Sequence, residues 1–288
     1  MIWNYAVDRM LVANGSIVAN EGSMNNKGVE LFLTAALVNK GDFTWTSTLN
    51  LAHNTNKITS MSNPYFAGGD SIGAAYPEGG GRSGSSLQLV KAGHPLGQFF
   101  TLQYAGKDSA GRSVFLNRAG KTTTSIAYET DYHYAGNAQP KLLFGWSNTF
   151  RLRNWDLSFF VRGVLGNKIY NATRADLFSP ALAQYGNLSV DAMNESIKDN
   201  TDYYYSDRFI ESGSYLRFDN ATLAYNFKNV SPYIKKLRVY GSVNNLFVIT
   251  GYKGIDPEVN QGGIAPGVDY NNFYPKTRTF LVGASVTF

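Results

Sequence analysis

The side chains able to do chemistry are few, and their spacing suits little of it. The chain has no cysteine and three histidines in 288 residues. A thiol nucleophile, an iron–sulfur centre and a zinc knuckle are therefore excluded. His53, His94 and His133 stand far apart with no His-x-x-x-His pair, and they read as loop or lumen residues rather than as metal ligands. Asp256-Pro257-Glu258, and Asp199, Asp202 and Asp207, gather carboxylates. Calcium, however, needs about six to eight oxygens from one shaped loop, and no EF-hand spacing is present. Gly80-Gly81-Arg82-Ser83-Gly84 misses the Gly-x-Ser-x-Gly pattern, and the glycine-rich stretch 78–86 lacks a Gly-Lys-Ser/Thr ending. No Ser–His–Asp set and no catalytic carboxylate pair can be assembled. The expectation is no enzyme, no metal and no cofactor.

Aromatic side chains are the remaining candidates. Tyr203, Tyr204 and Tyr205 fall in the longest segment between strand patterns, and Tyr270, Phe273 and Tyr274 in the last one. Aromatic faces can stack on sugar rings, which makes these six the candidate ligand contacts. They equally suit an interfacial aromatic girdle or loop-on-loop packing, the more general use of such residues.

Composition narrows the class. Only 16% of residues are charged while 14% are aromatic, against about 25% charged in soluble domains, and disordered chains are aromatic-poor. The net charge of +5 invites a nucleic-acid reading. Yet Lys and Arg are scattered, and the densest group, Lys235, Lys236 and Arg238, lies beside a Pro-containing turn. No basic helix or RNA-recognition signature occurs, so no nucleic-acid partner is expected. Residues 1–12 contain Asp8 and Arg9 and lack the apolar run of a signal peptide. No run of 18 apolar residues exists, which excludes a membrane helix and leaves a membrane β-barrel open.

The elements that position these residues are strands. In residues 43–54, Phe43, Trp45, Leu49 and Leu51 share one face and Thr44, Thr46, Thr48 and Asn50 the other. Val29, Leu31, Leu33, Ala35 and Leu37 alternate likewise, and Lys40-Gly41-Asp42 joins the two runs as a hairpin. The pattern returns in Leu142, Phe144 and Trp146; in Trp155, Leu157, Phe159, Val161 and Leu165; in Ala221, Leu223, Tyr225 and Phe227; and, less cleanly, over 237–247. It closes the chain with Phe280, Val282, Ala284, Val286 and Phe288. With weaker runs at 2–12, 84–92 and 97–105, the count is about ten strands and no long helix. Eleven to thirteen residues at roughly 3.3 Å each, tilted about 45°, rise close to a bilayer core's height. Short joins at 40–42, 152–154 and 228–236 alternate with long ones, the asymmetry of outer-membrane barrels.

Specific residues then carry a family resemblance. Asn26-Lys27-Gly28-Val29-Glu30-Leu31 followed by Asp42-Phe43-x-Trp45 and Asn50 resembles the barrel of SusC/RagA-type TonB-dependent receptors. So do Gly93-x-Pro95-Leu96-Gly97-x-Phe99, Gln139-Pro140-Lys141 and Gly166-Asn167-x-x-Tyr170-Asn171. The later matches are Gly213-Ser214-Tyr215-Leu216-Arg217, Asn244-Asn245-Leu246-Phe247 with Thr250 and Tyr252, and Gly254-x-Asp256-Pro257-Glu258. The alternating last strand, with Phe280, Val282, Val286 and Phe288, is similar to the family's assembly signal.

The resemblance implies an antiparallel barrel of about 22 strands, of which residues 1–288 would be the C-terminal portion, lacking the plug domain and the TonB box. It implies the outer membrane of a Gram-negative, Bacteroidetes-like cell, with outer-membrane lipid around the wall. A SusD-like surface lipoprotein would be the partner, and the TonB complex would act only through the missing N-terminal part. The cargo would be glycan oligosaccharides or peptides. The alternative is a structural or adhesive outer-membrane β-protein that transports nothing. An open curved sheet is expected for these strands alone, and pairing of 2–12 with 276–288 would instead signal a closed ten-stranded barrel.

Overall fold

Long alternating runs build one wide antiparallel sheet, here called the wall. The computed structural model describes the chain apart from residues 1, 7–9, 11–12, 14, 21, 62–70, 78–84, 128–129, 181–182, 184–185, 201–204, 260–261 and 271–273. In chain order, β1 (Ile2–Ala6) and β2 (Ser16–Asn20) precede the long hairpin of β3 (Ser23–Lys40) and β4 (Phe43–Ser60). Six short strands follow: β5 (Ser71–Ala74), β6 (Gln88–Lys91), β7 (Gln98–Lys107), β8 (Ser113–Leu116), β9 (Thr122–Thr123) and β10 (Tyr132–Asn137). The second long hairpin is β11 (Leu142–Leu152) and β12 (Trp155–Leu165). Then come β13 (Lys168–Asn171), two short helices, α1 (Ala172–Leu177) and α2 (Val190–Asn194), and β14 (Ile210–Ser212). The third long hairpin is β15 (Tyr215–Ser231) and β16 (Ile234–Thr250), and β17 (Val268–Asp269) and β18 (Thr279–Thr287) finish the chain.

The wall has the order β18-β16-β15-β12-β11-β4-β3. Among the described residues its strand count is therefore seven and not about ten. Among the described residues of the run at 2–12, β1 pairs with β2 in a ribbon of its own, and β18 pairs with β16. The runs at 84–92 and 97–105 become β6 and β7 of a separate sheet. The physical reason lies in their burial. Gln88 and Val90 on one face of β6, and Phe99, Thr101 and Leu102 of β7, are buried, so these strands pack against protein, and β6 at four residues is too short to cross a bilayer. Among the described residues the outer strands of the wall are β3 and β18, an open sheet.

Register confirms that each wall strand has one apolar and one polar face. Leu33 stands opposite Leu49, Leu49 opposite Trp146, and Trp146 opposite Val161. On the other face Thr34, Thr48 and Ser147 stand in line. Among the described residues, large side chains on the apolar face stand exposed on outer and inner strands alike: Val29 is 72% exposed, Val282 85% and Leu223 49%. Water does not tolerate a continuous apolar face of this extent, whereas lipid does. A bulge at Leu37 moves Val38 onto the apolar side opposite Trp45.

Two indole N–H groups on that face find acceptors. Trp45 Nε1 donates to Asn148 Oδ1 at 3.0 Å, and Trp146 Nε1 donates to Ser47 Oγ at 2.9 Å. Both indole N–H groups thus have acceptors where no water would supply one. Rings lean on rings from strand to strand: Trp45 on Phe150 at 5.4 Å, Phe150 on Phe159 at 6.0 Å, Phe159 on Phe218 at 5.6 Å, and Phe218 on Phe247 at 5.4 Å. Gly163 lies under the Phe144 ring on this face, and Gly283 under Tyr240 on the polar face, each directly across the strand pair. Any Cβ there would collide with the ring, so these glycines serve as sockets.

Candidate functional site at the mouth of the wall

The long segments gather at one end of the wall, opposite the two-residue turns at 41–42, 153–154 and 232–233. They carry a true protein core. Phe99, Tyr170, Ala172, Ala175, Phe178, Tyr205, Phe209 and Val268 are buried together. The sequence explains how this core is seeded. Asn171 accepts from Arg174 N at 2.9 Å and caps α1, while Tyr170, beside it, is fully buried. Gly213 N–H donates to the Asn167 carbonyl at 3.0 Å, holding β13 and β14 together.

A charged cluster fastens the last long segment to the polar face of the wall. Arg217 on β15, 1% exposed, donates from Nη2 to both oxygens of Asp256 at 2.7 Å. Its Nε lies 3.1 Å from Glu258 Oε2, an ion-pair contact off the hydrogen-bond line. Glu258 also accepts from Arg162, from the Tyr215 hydroxyl at 2.8 Å and from Lys276. Arg162 Nε donates to Asp219 at 2.9 Å, a residue that a bulge between Phe218 and Asn220 turns toward it. Three cations and three carboxylates thus neutralise one another at the edge of the polar face, with Lys276 pulled below its ordinary range chiefly by burial.

Asn245 ties the final strand into this cluster. Its backbone is left-handed at φ 53°, which fits Asn better than most residues. Its Nδ2 donates to the carbonyls of Lys276 and Thr277 at 3.1 and 3.2 Å, and its Oδ1 accepts from Arg217. Thr250 donates to the Ser214 carbonyl at 2.9 Å, and the Tyr252 hydroxyl to Asp269 at 2.9 Å. Burial, reinforced by the Asp269 charge, pushes the Tyr252 hydroxyl far above the ordinary tyrosine range.

A second ionic group sits inside the mouth. Arg208 pairs with Asp199 at 2.8 Å and Glu195 at 3.2 Å, and its guanidinium lies 4.9 Å from the Tyr104 ring centre. Lys107 adds a bond to Glu195 and lies 3.4 Å from Asp199. Burial raises the Glu195 pKa, but the Lys107 bond and the Arg208 charge outweigh it and leave the carboxyl below its usual range.

The residues singled out from sequence are scattered by the structure. Tyr205 is 7% exposed, donates to the Pro77 carbonyl and meets Tyr170 edge-on at 5.9 Å, so its ring face is used in packing. Tyr270 and Tyr274 are exposed. Tyr203, Tyr204 and Phe273 lie outside the described residues, as do Asp202 and Gly80–Gly84. Phe280, Val282 and Val286 line the apolar side of β18, with Phe288 exposed just beyond it. His53 bonds to the Lys141 carbonyl, His94 stacks on Tyr134, and His133 pairs with Asp207 at 3.1 Å. The three imidazoles share no site, and among the described residues no group of acidic and histidine side chains forms a metal cage. Sequence reading noted Arg217 and Asp256–Glu258 as separate motifs and missed their union with Arg162, Asp219, Asn245 and Lys276. The available signal was that arginines at polar strand positions require nearby carboxylates.

No family model matches the chain. It is 32% identical over 294 residues to the TonB-dependent receptor SusC of Bacteroides thetaiotaomicron, covering 96% of this chain and 27% of that protein. It is 26% identical to the TonB-dependent receptor P3 of Formosa agariphila, over 95% of this chain and 30% of that one. The whole chain superimposes on part of the RagAB peptide transporter with a TM-score of 0.77, at 20% identity and over 32% of that chain. A RagAB peptide importer in an "open-open" state gives a TM-score of 0.78 at 22% identity. The chain spans about 30% of the length of the curated relatives it matches. With one apolar and one polar face on every wall strand and this match in sequence and fold, the chain belongs to the SusC/RagA-type TonB-dependent receptors.

Proposed function

We propose that the chain forms the C-terminal part of the barrel of an outer-membrane importer, within a wall of about 22 strands. Its seven long strands meet lipid and its long segments frame the extracellular mouth. The cargo is glycan oligosaccharides or peptides, a SusD-like surface lipoprotein is the partner, and the TonB complex acts through the remainder of the longer polypeptide. Such a protein moves solutes and catalyses no reaction. The observation that carries this reading is the wall's bare apolar face set against a polar face whose mouth end is organised by buried ion pairs. The 32% identity to SusC supports import, and the RagAB peptide transporter supports peptides as one cargo class. Exposed Tyr270 and Tyr274 are the aromatic ligand contacts in this reading, and Phe280, Val282, Val286 and Phe288 form the assembly signal.

The test is uptake by cells carrying the full polypeptide in their outer membrane. Uptake of short neutral oligosaccharides or short peptides should disappear with a protonophore. A receptor present in the outer membrane that takes up neither, with or without the protonophore, would instead be a structural or adhesive protein. Unchanged ligand affinity after Tyr270→Ala and Tyr274→Ala together would remove the aromatic contacts from the proposal.

A further inference from the structure

Gly145 on β11 stands between Asn50 of β4 and Arg162 of β12 on the polar face. It bears no side chain, and a Cβ there would be 3.1 Å from the Phe160 ring that lies across it. The result is a hollow of about 400 Å³, open to the lumen side, lined by Asn50, Ala52, Leu143, Phe160, Arg162 and Val164. Nearby positions on this face are Thr46, Thr48, Ser147, Thr149 and Ser158. An apolar dimple is therefore a local departure from a hydroxyl-rich surface. Its volume lies within the range of small-ligand sites, roughly 300–1,000 Å³.

The polar groups around it are ordered and nearly neutral. Arg162 Nε donates to Asp219 at 2.9 Å, Nη1 to Tyr215 at 3.2 Å and to Glu258, and Nη2 to Glu258 at 3.2 Å. A guanidinium has about five N–H donors in a fixed fork, so one donor on Nη2 remains uncommitted. Two carboxylates already offset the charge, so an anion gains little here. An uncharged acceptor gains a preformed donor. The exposed amide of Asn50 offers both a donor and an acceptor across Gly145.

We propose that this hollow is a cargo-contact site on the lumen wall. It takes an uncharged hydrogen-bonding group beside an apolar face, as in a sugar hydroxyl beside its C–H face or a peptide amide beside an aliphatic side chain. The inference rests on the import reading and adds to it a place where cargo touches the barrel below the mouth. Because no net charge is involved, binding is weak and indifferent to salt, which suits a contact that must release.

The absence of cysteine in this stretch makes the test direct. In the full receptor, with any cysteine elsewhere replaced by Ser, Val164→Cys is labelled with a small polar maleimide in outer membranes. Labelling should proceed without cargo and be slowed by short neutral oligosaccharides in one arm or short peptides in the other. The arm that protects identifies the source. No labelling without cargo means the remainder of the receptor covers the hollow and overturns the proposal. Labelling indifferent to both cargoes at concentrations that saturate uptake overturns it too. Asn50→Ala should raise the half-saturating concentration for uptake about tenfold with the amount of receptor unchanged. An unaltered half-saturation would count against the site. If the unmodified receptor transports nothing, the import reading and this inference fall together. If it transports while the hollow ignores cargo, only this inference falls.

Discussion

The wall and the mouth obey opposite rules within one chain. The wall leaves Val29, Leu31, Phe280 and Val282 bare, and its stability must come from ladder hydrogen bonds, ring contacts and lipid. The mouth buries Phe99, Tyr170 and Phe209 completely or nearly so and holds its charges in bonded groups, as a soluble domain does. The difference teaches that "hydrophobic inside" holds for each region only once its solvent is named. Where the two meet, Arg217 and Asp256 are fully desolvated and join one to the other.

That junction offers the largest test. Arg217→Ala strips the partner from buried Asp256 and should cost about 3–5 kcal/mol. Loss of the heat-resistant folded band on cold gels would register it, and a wild-type unfolding profile would show that the wall and mouth are independent. Phe209→Ala should cost a similar 3–5 kcal/mol but inside the mouth alone. Protease should then cut the mouth segments while the wall strands stay protected.

Neighbouring residues of β4 separate the two faces more finely. Leu49→Arg should cost about 2–4 kcal/mol by placing charge in lipid, whereas Thr48→Arg, one residue away and facing the lumen, should cost little. Unfolding midpoints in detergent micelles against lipid vesicles would compare them. Equal losses would mean that the apolar face is not the lipid face.

A pH effect should appear only in the mouth. Glu195 is depressed by Lys107 and Arg208 despite burial. A depressed carboxyl stabilises the fold above its unfolded pKa and loses that contribution as the pH falls through the folded value. Hydrogen exchange around α2 and β7 should therefore rise below about pH 4, while exchange in β4, which carries no carboxylate, stays level. The smallest effect belongs to Asn148→Leu. It removes the acceptor of the Trp45 indole and should cost about 1 kcal/mol, visible as a shift in indole fluorescence.

The faces of the wall were legible in sequence because a strand's period of two writes burial directly into residue order. Phe43, Trp45, Leu49 and Leu51 needed no further context. Strands β6 and β7 misled because their alternation resembles that of the wall, while what distinguishes them is the burial of that face under other protein, a tertiary fact. Tyr205 misled for the same reason, since composition places it in a loop and only packing turns it inward. The charged cluster was invisible as a unit because Arg162 and Glu258 lie 96 positions apart. Their meeting depends on a bulge at Asp219 and a left-handed Asn245, neither of which leaves a periodic signal.

Alternation forbids a strand from sliding by one residue, since that would turn every leucine to the wrong side. It says nothing against sliding by two. The diagonal run of rings from Trp45 through Phe150, Phe159 and Phe218 to Phe247 supplies the missing constraint. An even slip of β11, β12 or β15 preserves the hydropathy of both faces yet parts two ring contacts at once. A slip between β11 and β12 or between β16 and β18 also drags Phe144 or Tyr240 off its glycine socket. The aromatics of the wall thus act as a vernier, reading strand position to the single repeat where hydrophobicity alone is degenerate.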